Sequence, residues 1–398
     1  MLSSQLSSPS LLPSCQRSSL TLISLSGTQW TGKLDLSCNG LTYLPLEVLR
    51  MSNLTHLKLF KNHLTSLPSA FGGLVKLTSL SVIDNKLSLL PPEMGNLLQL
   101  KKLRISYNQF SKLTPVVGAL TKLEALKADN NKIQALIPEI GNLTRLKKLW
   151  LHKNKLLVLP PIISHLQFCK DLRLSHNQIE TLPCEIGQMT ALRQLKCPFN
   201  LLKTVPPELG NLENLIELTL QNNLLENLPM DLGKLSRLDA LIVDHNPNLL
   251  SPPRAVYEKG TLYCVKYMRR CYDARVIGVL DVSAYGLTTV PKEITDLTNL
   301  TYLKLDKNRL MSFPPEIGQL VSLTELSASG NKLVMLPPEL GLLENLQQLR
   351  IDYEDLRTPP EEVLNGGTPA IMSYLKHINS SKAKKSVRAA CLCEQSCF

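Results

Sequence analysis

Apolar residues along this chain keep a fixed distance from one another and from a single polar residue. Leu34, Leu36, Asn39, Leu41, Leu44 and Pro45 spell LxLxxNxLxxLP, and the phrase returns 23 residues later at Leu57, Leu59, Asn62, Leu64, Leu67 and Pro68. The asparagine then falls at Asn85, Asn108, Asn131, Asn154, Asn177, Asn200, Asn223 and Asn246, so ten consecutive repeats share one spacing. After a step of 39 the phrase resumes at Leu280, Val282, Tyr285, Leu287 and Val290. It continues through Asn308, Asn331 and Glu354, which makes fourteen repeats with two substituted asparagine positions. A period of this size marks a solenoid whose repeats bury their leucines only against neighbours. Each LxL predicts a short strand with both leucines pointing inward. The strands stack in parallel because every repeat returns the chain the same way. The asparagine amide, with two donors and an acceptor, serves the backbone groups left bare where the chain leaves the sheet. The return segment, as in PPEMGNL at residues 91–97, opens on proline and carries a glycine ten residues after the asparagine, where the backbone has no room for a Cβ.

Composition sharpens this picture. Of 398 residues 84 are leucine, while aromatics make up only 5%. That ratio points to one small motif used many times rather than to ordinary domains. No stretch approaches the ~18 consecutive apolar residues of a membrane span. Collagen and disulfide mini-scaffold compositions are excluded as well.

The insert between Asn246 and Tyr285 contains SPPRAVYEKGTLYCVKYMRR, Ser251 to Arg270. The end of the last repeat, Thr358 to His377, echoes it at an offset of 107: Pro252/Pro359, Pro253/Pro360, Val256/Val363, Gly260/Gly367, Thr261/Thr368 and Tyr267/Tyr374. Thr261 and Thr368 suit helix N-caps, and Pro369 suits a first helical position. Leu262, Val265 and Met268 recur at helical spacing, as do Ile371, Tyr374 and Leu375. Each segment predicts an amphipathic helix that closes the open end of a solenoid. The chain then divides into a serine-rich leader (1–29), ten repeats with a cap (30–272), four repeats with a cap (273–378) and a basic tail (379–398). A cap after the tenth repeat covers the edge that a continuous sheet needs, so a break or kink is expected there. The leader has no acidic residue, with Arg17 its one charge. It is expected to be disordered, with a transit peptide as the alternative.

The ten cysteines form no paired clusters flanking the array, and Cys169 and Cys264 occupy apolar positions, so a reducing, cytoplasmic compartment is expected. In the tail, Lys376, Lys382, Lys384, Lys385 and Arg388 precede Cys391, Cys393 and Cys397. A plain solvated tail is one reading. A polybasic, S-acylated anchor holding the chain peripherally at a membrane is the other. No metal ligand set or cofactor motif is found.

The net charge of +11 is not spread evenly. On the strand side, the concave side of a curved solenoid, the position four before each asparagine reads Asp35, Lys58, Ser81, Arg104, Lys127, Trp150, Arg173, Lys196, Thr219, Ile242. At ~4.8 Å per strand this makes a basic ladder roughly 20 Å long from Arg104 to Lys196, with Trp150 at its middle. Neighbouring columns add Lys101, Lys102, Lys147, Lys148, Lys153, Lys170 and Arg193, together with Tyr107, His152, His176 and Phe199. Over repeats four to eight these positions hold eleven basic residues against Glu124, Asp129 and Asp171. Like charges crowded on adjacent strands repel, a cost that an acidic partner offsets. Aromatic and arginine side chains are the usual anchors of protein interfaces. The candidate partner-binding residues are therefore Lys58, Lys102, Arg104, Tyr107, Lys127, Lys148, Trp150, His152, Lys153, Arg173, His176, Lys196 and Phe199.

The repeat phrase, as in residues 126–143 and 303–320, resembles the leucine-rich repeat, and within it the intracellular Ras-group type, over about residues 32–378. The resemblance implies an α/β horseshoe solenoid with a parallel sheet on its concave face. It also implies an intracellular adaptor in signal transduction, monomeric when unbound, whose partners include small GTPases or phosphatases. No phosphate loop, HExxH, GxSxG or kinase motif set is present, so an enzyme is not expected. Two alternatives stand beside the scaffold. One is the sensor portion of a larger signalling or defence protein. The other is a basic surface for nucleic acid or anionic membrane, in which the interleaved aromatics would stack on bases. The acidic zone of repeats nine to eleven (Glu217, Asp239, Asp244, Asp281) speaks against nucleic acid.

Overall fold

The computed structural model describes residues 32–395, with side chains as far as residue 381. The leader and Cys397 lie outside the described residues, as do the side chains of Cys391 and Cys393. The chain forms two compact units, one through Leu201 and the other from Leu202.

The first unit is built on eight three-residue strands: β1 (Lys33–Asp35), β2 (His56–Lys58), β3 (Ser79–Ser81), β4 (Lys102–Arg104), β5 (Ala125–Lys127), β6 (Lys148–Trp150), β7 (Asp171–Arg173) and β8 (Gln194–Lys196). Each pairs in parallel with the next, and the register is the repeat itself, with Leu103 opposite Leu126 and Leu149 opposite Leu172. These central leucines are fully buried. The asparagine ladder carries the turn beyond the sheet. Asn154 Nδ2 donates to the carbonyls of Ala128 and Leu151, both at 2.9 Å, and its Oδ1 accepts the Ile133 N–H at 3.0 Å. One side chain thus satisfies backbone groups of two repeats. After β1 the chain returns through a short α-turn, α1 (Leu46–Leu49), whereas later repeats return through 3-10 turns such as Pro138–Asn142. A Cβ on Gly118 would come within 2.7 Å of the Glu139 carbonyl, so glycine is required there by the close approach of the next repeat.

The second unit opens with β9 (Glu217–Thr219) and β10 (Ala240–Ile242), paired in parallel. A short turn, α2 (Arg254–Tyr257), leads into the first cap helix, α3 (Thr261–Ile277). A separate four-stranded parallel sheet follows: β11 (Val279–Asp281), β12 (Tyr302–Lys304), β13 (Glu325–Ser327) and β14 (Gln348–Arg350), with α4 (Lys292–Thr295) as its first return turn. The chain ends with α5 (Glu361–Asn365) and the second cap helix, α6 (Gly367–Gln395). β10 and β11 belong to different sheets, and α3 stands between them in the chain.

The two caps close their sheets by the same device, which is not the one expected. Thr261 and Thr368 make no N-cap bond to their own helices. Instead the Thr261 hydroxyl accepts the Leu241 N–H of β10 at 2.9 Å, and the Thr368 hydroxyl accepts the Leu349 N–H of β14 at 3.0 Å. An edge-strand donor that would otherwise face the helix unpaired outcompetes the helix terminus for the hydroxyl. Behind each threonine the cap helix lies on a glycine. A Cβ on Gly233 would strike the backbone of Met268 and Arg269, and one on Gly341 that of Leu375 and Lys376. The expectation that the second cap ends near residue 378 needs correction, because α6 continues to Gln395. Residues 382–395 contain neither glycine nor proline and are rich in alanine, lysine and arginine, a composition that favours helix.

Candidate functional site

The basic ladder lies on the open face of β4 to β8 in the first unit. Parallel, in-register pairing sets Arg104 beside Lys127, Lys127 beside Trp150, and Trp150 beside Arg173. At its centre the Trp150 indole is enclosed on both sides. Lys127 Nζ stands 3.3 Å from the ring centroid and the Arg173 guanidinium carbon 4.0 Å from it. Such contacts contribute roughly 0.5–2 kcal/mol each, according to how far the cation is desolvated.

Asp171 holds this stack together. It begins β7 two residues before Arg173, so both side chains rise from the same face of the strand. Its carboxylate accepts Arg173 Nε at 2.9 Å and Nη2 at 3.1 Å, and Trp150 Nε1 from the neighbouring strand at 2.9 Å. The Asp171 side chain is 9% exposed and that of Arg173 is 32% exposed, so water reaches the guanidinium but hardly reaches the carboxylate. Burial, then the charges of Arg104, Lys148 and Arg173, push the Lys127 ammonium below its ordinary range, with Asp129 opposing.

A second acidic anchor sits one column further on. Asp129 accepts Ser106 Oγ at 2.6 Å and Asn130 Nδ2 at 2.9 Å, and it lies 3.4 Å from His152 Nε2. Burial, outweighing Asp129 and aided by Arg173, Lys153 and His176, lowers the His152 pKa below the usual value, which favours neutral imidazole. Glu124 pairs with Lys147 at 2.8 Å. The three acids therefore serve as internal struts, and part of the repulsion assigned from sequence to an acidic partner is already relieved within the fold.

The candidate residues separate accordingly. Lys102, Arg104, Lys148 and Lys153 have no ion-pair partner among the described residues. Lys58 is apart from the others and pairs with Asp35 at 3.2 Å on β1. His176 and Phe199 stack on each other with centroids 4.2 Å apart. Tyr107, Lys153, His176 and Phe199 occupy the left-handed backbone position just before the asparagine, with φ between 53° and 56°. That conformation costs a non-glycine residue about 1 kcal/mol or more and recurs because the sheet-to-turn corner demands it. Tyr107 is 53% exposed and Phe199 46%, so these two form an apolar rim to the charged face. Trp150, expected to offer contact area, instead positions cations. Sequence reasoning counted Asp171 only as an opposing charge. An acid two residues from an arginine in one strand, beside a tryptophan in the next, was the available signal.

Burial pushes the thiols of Cys169, Cys197, Cys264 and Cys271 up to about 12, which leaves them as packing groups rather than nucleophiles. Among the described residues no group of acidic, histidine or cysteine side chains is placed to hold a metal ion. No helix among them is long and apolar enough to cross a membrane.

Comparison with known proteins gives a consistent picture. The family description "leucine-rich repeat region" matches residues 14–155. A leucine-rich repeat protein of Leptospira interrogans is 32% identical, with 85% of this chain and 94% of that one covered and a TM-score of 0.53. The leucine-rich repeat ectodomain of the plant membrane receptor kinase GASSHO1/SCHENGEN3 from Arabidopsis thaliana, solved in complex with CASPARIAN STRIP INTEGRITY FACTOR 2, is 28% identical. Its alignment covers 81% of this chain and 44% of the ectodomain, with a TM-score of 0.50. No curated protein matched.

Proposed function

This chain belongs to the leucine-rich repeat family, and on that premise we propose that it is a non-catalytic scaffold that holds an acidic protein partner against the face of β4 to β8. The observation that carries the reading is the Trp150 stack, in which Asp171 fixes Arg173 and the indole fixes Lys127 before any partner arrives. Cations held in place lose little side-chain entropy on binding, and a one-signed face steers encounter with an acidic surface. Arg104, Lys102 and Lys148 flank the stack and supply the charge that a partner meets. The receptor ectodomain of similar fold was solved with a bound factor, which supports a binding role for the repeat array. The resemblance of the repeat phrase to the Ras-group type supports an adaptor in cytoplasmic signalling, with small GTPases and phosphatases as the partner classes to test first. Cys391, Cys393 and Cys397 are the positions to test for lipid attachment, by membrane fractionation of their serine variants.

Nucleic acid is the weaker reading. Lys127 and Arg173 cover both faces of Trp150, so a base has no open ring surface to stack on there.

The experiment is affinity purification with mass spectrometry on the full chain, wild type against Lys102→Glu/Arg104→Glu. Both residues lie on β4, two strands from Trp150 and three from Asp171, and neither bonds Asp171 or stacks on the indole, so the stack survives the change. Loss of one or more partners with unchanged thermal stability is expected. Recovery of the same partners in the same yield refutes the basic face as the binding surface.

A further inference from the structure

The cap α3 is covered on two sides, and the residues that cover its second side identify what its counterpart α6 lacks. On one side α3 closes the sheet that ends at β10. On the other it receives the leading repeat of the second array. Tyr267 Oη donates to Glu293 Oε1 at 2.9 Å, Ser251 and Cys271 lie beside the same carboxyl, and Glu293 is half-buried with its carboxyl turned into the contact. Arg270 Nη1 donates to the Asp281 carbonyl at 2.6 Å, and Asn299 Nδ2 donates to the Arg275 carbonyl at 2.9 Å. Burial of this carboxyl is thus the centre of a junction between a cap helix and the turn α4.

The cap half of this junction occurs a second time. At the offset of 107, Ser251, Tyr267 and Cys271 become Thr358, Tyr374 and Ile378. Both hydroxyls that face Glu293 are kept. At the second cap, however, these three residues line an open groove of about 470 Å³ together with Phe313, Met335 and Pro338. The Tyr374 hydroxyl has no hydrogen-bond partner among the described residues.

The other half also occurs a second time. Residues 32–58 read GKLDLSCNGLTYLPLEVLRMSNLTHLK and residues 278–304 read GVLDVSAYGLTTVPKEITDLTNLTYLK, identical at fourteen positions. Gly32 and Gly278 share a left-handed backbone, with φ of 67° and 68°. Each accepts, through its carbonyl, the hydroxyl of the threonine 23 residues later. The residues that meet α3, namely Asp281, Glu293 and Asn299, have identical counterparts in Asp35, Glu47 and Asn53. Both leading turns, α1 and α4, are α-turns entered from a proline. Glu47 is exposed, and nearby Tyr43 and Leu46 are 73% and 64% exposed.

We infer that the chain associates head to tail with a second copy of itself, the leading turn Pro45–Leu49 of one copy seating its Glu47 carboxyl in the Thr358–Tyr374–Ile378 groove of the next. The occupant is specified by the molecule's own template, since the matching groove on α3 is filled by the matching turn. The contact joins two different surfaces, so it is head to tail rather than self-complementary, and it builds a concentration-dependent series of oligomers, open or closed into a ring. This revises the expectation of a monomer and stands apart from the basic face.

The test is sedimentation velocity on the full chain from low to high micromolar concentration. Wild type is expected to grow in average mass with concentration. Glu47→Lys and Ile378→Asp, both on accessible surface, are each expected to weaken association by about tenfold or more, because each leaves a charge unmatched in the contact. Glu47→Lys keeps an intact α6 groove and Ile378→Asp keeps an intact leading turn. A mixture of the two is therefore expected to form heterodimers and to stop there. A wild type that stays monomeric at every concentration overturns the inference, whether its own leader or another protein covers these surfaces. So does association as strong as wild type in either variant alone, or a mixture that remains monomeric.

Discussion

Asp171 is the residue on which the proposed binding face depends, and replacing it separates two accounts of that face. Asp171→Ala removes the acceptor of three hydrogen bonds, two from Arg173 and one from Trp150 Nε1. Hydrogen bonds to a charged group contribute about 1.5–3 kcal/mol each, and breaking a buried pair from one side costs ~3–5 kcal/mol. Arg173 is 32% exposed and can turn toward water, so the lower end applies, about 3 kcal/mol. Asp171→Asn keeps the shape and one acceptor but loses the charge, and its cost is expected to be about half as large. The assay is urea unfolding of the full chain followed by tryptophan emission. The sequence holds two tryptophans, so a Trp30→Phe background leaves Trp150 as the reporter. Losing the enclosing cations and the Nε1 bond should also shift the native emission to the red. A cost under ~1 kcal/mol, the range of an exposed ion pair, with native emission unchanged, refutes the clamp. Binding supplies the sharper comparison. Asp171→Ala raises the net charge of the face by one, so bulk electrostatics predicts tighter capture of an acidic partner. Preorganisation predicts weaker capture, because Arg173 and Lys127 lose their fixed positions.

Three further changes test the scaffold. Asn154→Ala orphans the buried Ile133 N–H and leaves the Ala128 and Leu151 carbonyls to the Asn131 and Asn177 amides alone, and should cost about 2 kcal/mol in urea unfolding. Thr368→Val removes the acceptor of the Leu349 N–H and should cost about 1 kcal/mol, with faster hydrogen exchange at that amide. Glu293→Gln tests the carboxyl that α4 packs against α3. Burial raises its folded pKa above the unfolded 4.5, so the stability it contributes is present below 4.5 and is lost as pH rises through the folded value. The glutamine variant should therefore gain on wild type as pH rises from 4.5 to the folded value, by up to ~1.4 kcal/mol per pH step of one, and then level off. A stability difference that stays flat from pH 4.5 to neutrality refutes the assignment.

Why some of this was legible in the sequence and some was not follows from where each contact closes. The asparagine ladder joins positions at fixed separations, as when Asn154 reaches Ala128, Ile133 and Leu151, and a bond that recurs at every period is visible as a period. The basic ladder was legible for the same reason, since in-register parallel strands turn every fourth-before-asparagine residue into a neighbour of the next. What stayed hidden are contacts made once. The Trp150–Asp171 bond links two different columns, and no other described repeat pairs a tryptophan with an aspartate there. The role of Thr261 could not be read either, because helix start and strand edge both want a hydroxyl, and only the placement of α3 against β10 decides between them. The duplicated cap lies between these cases. Its sequence echo at 107 was plain, but its meaning depended on a difference in covering: Tyr267 is fully buried against Glu293, while Tyr374 lines an open groove. Two near-identical stretches with unlike surroundings carry information that neither carries alone. In a repeat protein the period specifies the scaffold, and the departures from equivalence between its copies are where partners are written.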